Sequence, residues 1–249
     1  MFNVYNNRLA NKKVKKMKIT GNGFIAKNLK KTSIPNKFWI YAAGISNSNL
    51  KDAKKFKHEI DRFNFFRKKI KKGKILVYIS SLSVENKNLK NDIYISNKLK
   101  IEEIIKKHVN KYIIIRLPQI TGKNKNKFTL TNSIFNTLKQ NKKFNLWKGS
   151  KRNIIDIDDI IVIISKYLSY KPKINSIINI FNPKSIEVKI LLEIFENILN
   201  KKANFKILKQ KNKNINLNKI KKNTILPKRY YKKIGSKRYY EKIMQKYYI

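Results

Sequence analysis

The sequence has no cysteine and is poor in histidine, glycine and proline. Without cysteine there is neither a disulfide framework nor thiolate chemistry, which fits a reducing compartment. The two histidines, His58 and His108, lie far apart in the chain and among lysines. Neither a zinc site nor a Ser-His-Asp triad is therefore expected, and we predict no metal.

Long apolar runs are missing as well. The first seventeen residues contain no continuous apolar segment typical of a signal peptide, and no later run is long enough to span a bilayer. Hydrophobic residues still make up 41% of the 249 residues, which is enough for a folded core. The sequence therefore predicts a soluble protein of the cytoplasm with no membrane span.

Acidic residues are also scarce. There are 14 Asp and Glu against 60 Lys and Arg, a net charge of +46, and the first acid is Asp52. Such a charge attracts nucleic acid, anionic lipid or phosphorylated small molecules. The lysines are spread along the whole chain, as a strongly A+T-rich genome would produce. We favour that interpretation and keep nucleic acid as the alternative partner.

Apolar segments that suit buried strands alternate with segments of helical pattern. Strands are predicted over residues 14–20, 38–42, 75–81, 112–117 and 177–180, and helices over residues 24–31, 52–70 and 94–109. Several strand segments are apolar throughout, as expected for strands that are buried on both faces of a parallel sheet. The alternation predicts an α/β fold with right-handed crossovers.

The segment KITGNGFIAKNL, residues 18–29, places a glycine-rich turn between a strand and a helix. Gly21 permits a tight turn, Gly23 lets the backbone approach a phosphate, and the small Ala26 lets helix and strand pack closely. A pyrophosphate would sit here against free backbone N–H groups. A plain strand-to-helix turn explains the same residues, and the sequence alone leaves both interpretations open.

A second group of residues suits proton transfer. Ser81 ends a buried strand, and Tyr94 and Lys98 are spaced so that they share one helix face. A phenol has a pKa of about 10, and a neighbouring ammonium favours its phenolate. Tyr94 would otherwise be an ordinary aromatic residue at the start of a helix in a tyrosine-rich chain.

These motifs resemble those of the extended short-chain dehydrogenases/reductases of the nucleotide-sugar epimerase/dehydratase type. The matching segments follow the family's order: TGNGFIAKNL, WIYAAGISNS, VYISSLSV, YISNKLKIEE, IIIRLPQITG and RNIIDIDDI. The resemblance implies a Rossmann-like, doubly wound parallel sheet over residues 14–122. It implies a small, mainly helical substrate-binding region over residues 123–249, interleaved with the last strands of the sheet.

The resemblance also implies an enzyme that binds NAD or NADP and acts on a nucleotide-sugar as an epimerase or reductase, in surface polysaccharide synthesis. A homodimer is left open. Ser81, Tyr94 and Lys98 would be catalytic, and Ser81, Arg116 and Arg152 would bind substrate. Tyr94 and Lys98 would also contact the cofactor, together with Gly21, Gly23, Phe24, Ile25, Ala42, Ala43, Gly44 and Pro118.

The sequence departs from the family in three places. Only KKTSIPNK separates the first helix from the next strand, so the sheet should be abbreviated there. No acid precedes Asp52 to bind an adenosine ribose, so either Lys30 and Lys31 favour a 2′-phosphate and hence NADP, or the adenine half is poorly held. Leu82 and Ser83 follow the catalytic serine where dehydratases of this family place an Asp-Glu pair, which predicts an epimerase or keto-reductase. Glu85 is the nearest substitute.

The tail repeats a motif of tyrosines and cations, KRYYKKI at residues 228–234 and KRYYEKI at residues 237–243. Alternating aromatic and cationic residues can stack on bases and neutralise phosphates. However, Tyr239, Ile243 and Tyr247 fall on one helical stripe. We therefore predict a terminal helix that docks on the rest of the protein.

Overall fold

The computed structural model describes residues 18–86, 92–209, 214–220, 224–225, 234 and 236–249. The strands are β1 (Lys18–Thr20), β2 (Phe38–Tyr41), β3 (Ile75–Ser81), β4 (Tyr112–Leu117), β5 (Gln119–Thr121), β6 (Phe144–Trp147), β7 (Lys151–Arg152), β8 (Ile154–Asp156), β9 (Ser176–Asn179), β10 (Ile186–Glu187) and β11 (Phe205–Leu208). The helices are α1 (Phe24–Leu29), α2 (Ala53–Lys68), α3 (Ile93–His108), α4 (Leu130–Lys139), α5 (Ile157–Ser169), α6 (Val188–Leu199), α7 (Leu217–Ile220) and α8 (Lys237–Tyr248). Residues 14–17 of the first predicted strand lie outside the described residues.

A five-stranded parallel sheet in the order β1-β2-β3-β4-β9 forms the centre of the protein. Alternate side chains of each strand serve two cores. Phe38 and Ile40 of β2 pack with Leu29 of α1, whereas Trp39 and Tyr41 pack with Phe63 of α2. Helices therefore cover both faces of the sheet, which confirms the predicted Rossmann-like α/β fold.

The crossover through α1 has the opposite hand to those through α2 and α3. All three crossovers step in the same direction along the sheet. However, α1 packs with α5 on one face, while α2 and α3 pack together on the other. Right-handed crossovers make up about 98% of cases, so α1 is the exception. Residues 30–37 join α1 directly to β2, with no strand between them.

The second half of the chain adds short strand pairs and helices to the α1 face. β5 pairs with β8, β6 with β11, and β7 with β10. Helices α4, α5, α6 and α8 share one core with α1. Strand β9 comes from this half and pairs with β4 in the central sheet. The domain boundary at residue 122 stays a prediction.

The C-terminal helix α8 docks through its tyrosines, as predicted. Tyr239 and Ile243 are buried, and Tyr247 packs against the same core. The Tyr239 hydroxyl donates to Asp159 at 2.9 Å, and the Tyr247 hydroxyl donates to Asp156 at 2.6 Å. All but the last residue of the earlier copy of the motif, residues 228–234, lies outside the described residues. No helix in the described part of the chain is long and apolar enough to cross a membrane.

Candidate active site

A cleft of about 1480 Å³ lies at the carboxyl ends of the parallel strands. It is bounded by the turns after β1, β2, β3 and β4 and by segments of the second half of the chain. The predicted site residues that line it are Gly23, Phe24, Ile25, Ala42, Gly44, Ser81, Tyr94, Lys98, Pro118 and Arg152. Gly21, Ala43 and Arg116 are not among the lining residues. The fold thus gathers most of the predicted residues into one place.

The two glycines of the first turn have different surroundings. Gly21 has φ +130°, and a Cβ there would lie 2.4 Å from the carbonyl oxygen of Ala42. This glycine allows β1 and the end of β2 to approach each other. Gly23 precedes α1 with φ −74°, and a Cβ there would meet no atom within 4 Å. Gly23 therefore leaves open space on the cleft wall.

Lys30 returns to this turn. Its ammonium donates to the carbonyl oxygen of Gly21 at 2.9 Å and lies 3.3 Å from Oδ1 of Asn22. The side chain is exposed, so its charge remains available to an anion near the glycine turn. Lys31 is exposed as well.

Ser81, Tyr94 and Lys98 all line the cleft. Ser81 is the last residue of β3, and its hydroxyl accepts from the backbone N–H of Ser83 at 3.2 Å. Tyr94 lies in the first turn of α3, which Asp92 caps by accepting from the N–H groups of Tyr94 and Ile95. The ammonium of Lys98 lies 5.4 Å from the centre of the Tyr94 ring. One helix face therefore carries both groups, as the spacing predicts.

The structure adds a partner that the sequence analysis missed. Glu59 of α2 is fully buried, and its Oε1 lies 2.8 Å from the ammonium of Lys98. Its other oxygen accepts from the backbone N–H of Ile45 and from the side-chain amide of Asn97, both at 3.1 Å. The one available signal was an acid on the apolar stripe of α2, between Phe56 and Phe63.

Gly44 makes room for this ion pair. A Cβ at residue 44 would lie 2.4 Å from the Lys98 ammonium and 2.9 Å from Oε1 of Glu59. The glycine was predicted to pass near the cofactor, and it does line the cleft. Its lack of a side chain also serves the Lys98–Glu59 contact.

Arg116 lies in a separate buried network. Its guanidinium donates from Nε to Glu102 at 3.0 Å and also pairs with Glu85, while Ser80 donates to Glu102 at 2.7 Å. Burial alone would lower the pKa of Arg116, but the hydrogen bonds and charges of the two glutamates outweigh it and raise that pKa. The structure thus places Arg116 against carboxylates and does not bring it to the cleft.

Arg152 does reach the cleft, as predicted. Burial lowers the pKa of its guanidinium, which donates to the backbone carbonyl of Lys151. No carboxylate among the described residues forms an ion pair with it. The lining also includes Lys27, Lys123, Lys125, Lys151 and Lys184, against the single acid Asp92. This part of the cleft is therefore suited to an anion.

The five-stranded parallel sheet with helices on both faces is a Rossmann-like α/β fold, and solved structures share it. The chain is similar to dTDP-4-dehydrorhamnose reductase from Bacillus anthracis in complex with NADP, with TM-score 0.67 and 17% identity over 93% of this chain and 98% of that one.

Two further solved structures show the same likeness. RMD from Pseudomonas aeruginosa, complexed with NADPH, has TM-score 0.64 and 12% identity over 92% of this chain and 97% of that one. UDP-glucuronic acid 4-epimerase from Bacillus cereus, with UDP-glucuronic acid and NAD, has TM-score 0.64 and 18% identity over 91% of this chain and 78% of that one. No family model and no curated protein matches the sequence. The likeness therefore lies in the fold.

Proposed function

We propose that this protein is an NAD(P)-dependent epimerase or keto-reductase that acts on a nucleotide-sugar. The observation that carries the proposal is that Ser81, Tyr94 and Lys98 line one cleft together with Gly23 of the glycine turn, with the Lys98 ammonium 5.4 Å from the centre of the Tyr94 ring. A serine hydroxyl, a phenol and an ammonium in one place suit proton transfer to or from a sugar oxygen. The similar structures are of reductases and epimerases of sugar nucleotides, which supports the same substrate class and a role in surface polysaccharide synthesis.

The site residues fit a dinucleotide cofactor. Gly23 leaves open space where a pyrophosphate can approach the backbone, and Lys98 presents an ammonium at the cleft floor for a ribose hydroxyl. The cofactor, when bound, would supply or accept the hydride. Gly44 and Pro118 line the wall between these two points and would hold its nicotinamide half.

Each catalytic residue has a distinct task in this proposal. Tyr94 lines the cleft, and its hydroxyl takes the proton from a sugar hydroxyl or gives one to a sugar ketone. Ser81 hydrogen-bonds the same oxygen from the end of β3 and so fixes its position. Lys98 favours the phenolate of Tyr94 through its charge.

The cleft lacks the carboxylates that a dehydration would need beside the serine. Leu82 is buried, and Ser83 lines the cleft with a hydroxyl only. Glu85, the nearest acid along the chain, pairs with Arg116 and is not among the lining residues. We therefore favour epimerisation or keto-reduction over elimination of water.

The anionic part of the substrate is assigned to the basic end of the cleft. Arg152 is a partly buried cation without a carboxylate partner among the described residues, and a diphosphate would supply the missing negative charge. Lys123, Lys151 and Lys184 lie along the same wall. We therefore assign the positive charge of these residues to binding a phosphorylated small molecule. No comparison supports nucleic acid as the partner.

The proposal is tested by incubating the protein with NAD(P)(H) and candidate nucleotide-sugars in D2O, with products followed by NMR and mass spectrometry. We expect an epimer or a reduced sugar, with no loss of water. Tyr94→Phe should lower turnover at least 100-fold, because it keeps the ring and removes the proton carrier. A product lighter by one water, or no turnover with any substrate, would contradict the proposal.

A further inference from the structure

We propose that Glu59 is a positioning residue for this reaction: it fixes the ammonium of Lys98 beside Tyr94 and offsets much of its positive charge. The inference rests on the proposed function, since it concerns the two residues to which we assign proton transfer. It predicts that the Tyr94 hydroxyl loses its proton at a higher pH than it would beside an unpaired lysine.

The position of Glu59 in its helix is the first observation. On α2 the buried side chains are Phe56, Glu59, Phe63 and Phe66, so the carboxylate occupies a site on an otherwise apolar stripe. A buried carboxylate costs several kcal/mol unless it is paired and hydrogen-bonded. An apolar side chain would pack there at lower cost, so the carboxylate is retained for its contact with Lys98.

The rigidity of the carboxylate is the second observation. Oε1 receives the Lys98 ammonium, and Oε2 receives the N–H of Ile45 and the amide of Asn97. These donors come from the segment after β2 and from α3, so the carboxylate is held from two sides. It is thereby fixed relative to the helix that carries Tyr94. The side chain of Lys98 is 4% exposed, which leaves it little freedom to move elsewhere.

The charge of the pair has a direct consequence for the phenol. An ammonium near Tyr94 favours the phenolate, and a carboxylate bonded to that ammonium opposes the effect. At separations of 5 to 10 Å in a protein, one unit charge changes such an equilibrium by on the order of one pH unit. Glu59 thus sets how strongly Lys98 can act on Tyr94.

The remaining titratable groups around the site do not replace Glu59 in this role. Burial raises the pKa of Tyr41 on β2 to about 12, and burial also raises the pKa of Tyr78 on β3, so both stay neutral near pH 8. Arg62 of α2 faces Tyr41. Asp92 caps α3 and pairs with Lys51 at the surface, and Glu102 is held by Arg116.

The test compares Glu59→Gln with Glu102→Gln. Both variants neutralise a fully buried glutamate that is paired with a cation, but only Glu59 contacts Lys98. We expect Glu59→Gln to move the limb of the kcat profile that reports Tyr94 to lower pH by on the order of one unit; this is the low-pH limb where Tyr94 acts as the base and the high-pH limb where it acts as the acid. Glu102→Gln should leave the limb in place. An unchanged limb, or one moved to higher pH, in folded Glu59→Gln would overturn the proposal.

A measurement that needs no turnover separates this inference from the proposed function. The phenolate absorbance of Tyr94 is isolated as the difference between each protein and its Tyr94→Phe counterpart, titrated between pH 6 and 11. We expect the Tyr94 transition to occur at lower pH in Glu59→Gln than in the parent. A protein that turns over no substrate fails the proposed function and still gives this result.

The double variant Glu59→Gln/Lys98→Met covers the case in which Glu59→Gln alone does not fold. It removes both charges together, a change that buried pairs often tolerate. Because the two charges oppose each other at Tyr94, we expect its transition to stay within about half a pH unit of the parent. A transition more than one unit higher would show that Lys98 acts unopposed in the parent, and the proposal would fail.

Discussion

Gly21 and Ala42 approach so closely that a Cβ on Gly21 would lie 2.4 Å from the carbonyl oxygen of Ala42. This contact joins β1 to the segment after β2, where the backbone N–H of Ala42 donates to Thr20 at 2.8 Å. A side chain at residue 21 must therefore separate two hydrogen-bonded strands. Gly21, which the family resemblance assigned to the cofactor, is therefore needed for the close packing of these two strands.

Gly21→Ala should destabilise the protein by roughly 3 kcal/mol. The alanine Cβ would clash with the carbonyl oxygen of Ala42, and the positive φ of residue 21 strains any residue other than glycine. Gly149→Ala is the matched control. It also has positive φ, at +67°, but a Cβ there meets no atom within 4 Å. Its cost should be about 1 kcal/mol. Urea unfolding measures both, and equal losses would show that the Ala42 contact carries no energy.

Gly23→Val should leave stability nearly unchanged and abolish dinucleotide binding. The valine side chain would enter open space on the cleft wall, where a phosphate would otherwise meet the backbone. Calorimetric titration with NAD(H) and NADP(H), with thermal unfolding of the same samples, checks the two halves of the prediction. If the folded variant binds cofactor as tightly as the parent, the assignment of this turn to the pyrophosphate is wrong.

NADP(H) should bind at least as well as NAD(H), since no acid precedes Asp52 and Lys30 lies exposed at the glycine turn. Lys30→Met should weaken NADP(H) binding by roughly 3- to 10-fold and leave NAD(H) binding within about twofold. Lys54→Met, an exposed lysine on α2, is the control. Competitive titration decides the point, and a strong preference for NAD(H) would contradict it.

Stability should fall as the pH rises above about 10. Burial raises the pKa of Tyr41 to about 12 and also raises the pKa values of Tyr78, Tyr239 and Tyr240. An unfolded tyrosine has a pKa of about 10. The folded state therefore holds these protons more tightly. The resulting contribution to the free energy of unfolding is complete below pH 10 and is lost as the pH rises toward 12.

Tyr41→Phe measures how much one tyrosine contributes to this loss of stability at alkaline pH. The Tyr41 hydroxyl has no hydrogen-bond partner among the described residues, so its removal breaks no bond. The variant should be at least as stable as the parent at pH 8 and lose less stability between pH 10 and 11.5. Tyr170→Phe, at a residue that is 86% exposed, should follow the parent. Identical alkaline slopes for Tyr41→Phe and the parent would contradict the assignment.

The central strands could be predicted from the sequence almost to the residue. Prediction over residues 75–81 and 112–117 matches β3 and β4, because strands that are buried on both faces appear as continuous apolar runs. Of the short strands in the second half only β9 was predicted, from its apolar run, because two to four residues are too few to show a period. The opposite hand of the α1 crossover could not be predicted, because the short segment over residues 30–37 says nothing of the face on which α1 lies.

The site shows the same division. Motif order and strand ends placed Ser81, Tyr94 and Lys98 correctly on the cleft. The partnership of Lys98 with Glu59 was missed because it joins two helices that are distant in sequence, and a lone acid on α2 resembles a surface charge. The family resemblance placed Arg116 beside the substrate, but the structure holds it against glutamates that come from other elements.

The packing of α1 against α5 bears on the order in which the chain folds. Strands β2, β3 and β4 and helices α2 and α3 are consecutive in sequence and can associate through near neighbours. Helix α1 packs on the sheet and also against α5, which begins at Ile157, and a Cβ at Gly122 would touch both Phe24 and Ile157. Contacts between such distant segments form slowly because a long loop must close first. We expect the glycine turn to become ordered last, so that newly made chains acquire their cleft only when folding is nearly complete.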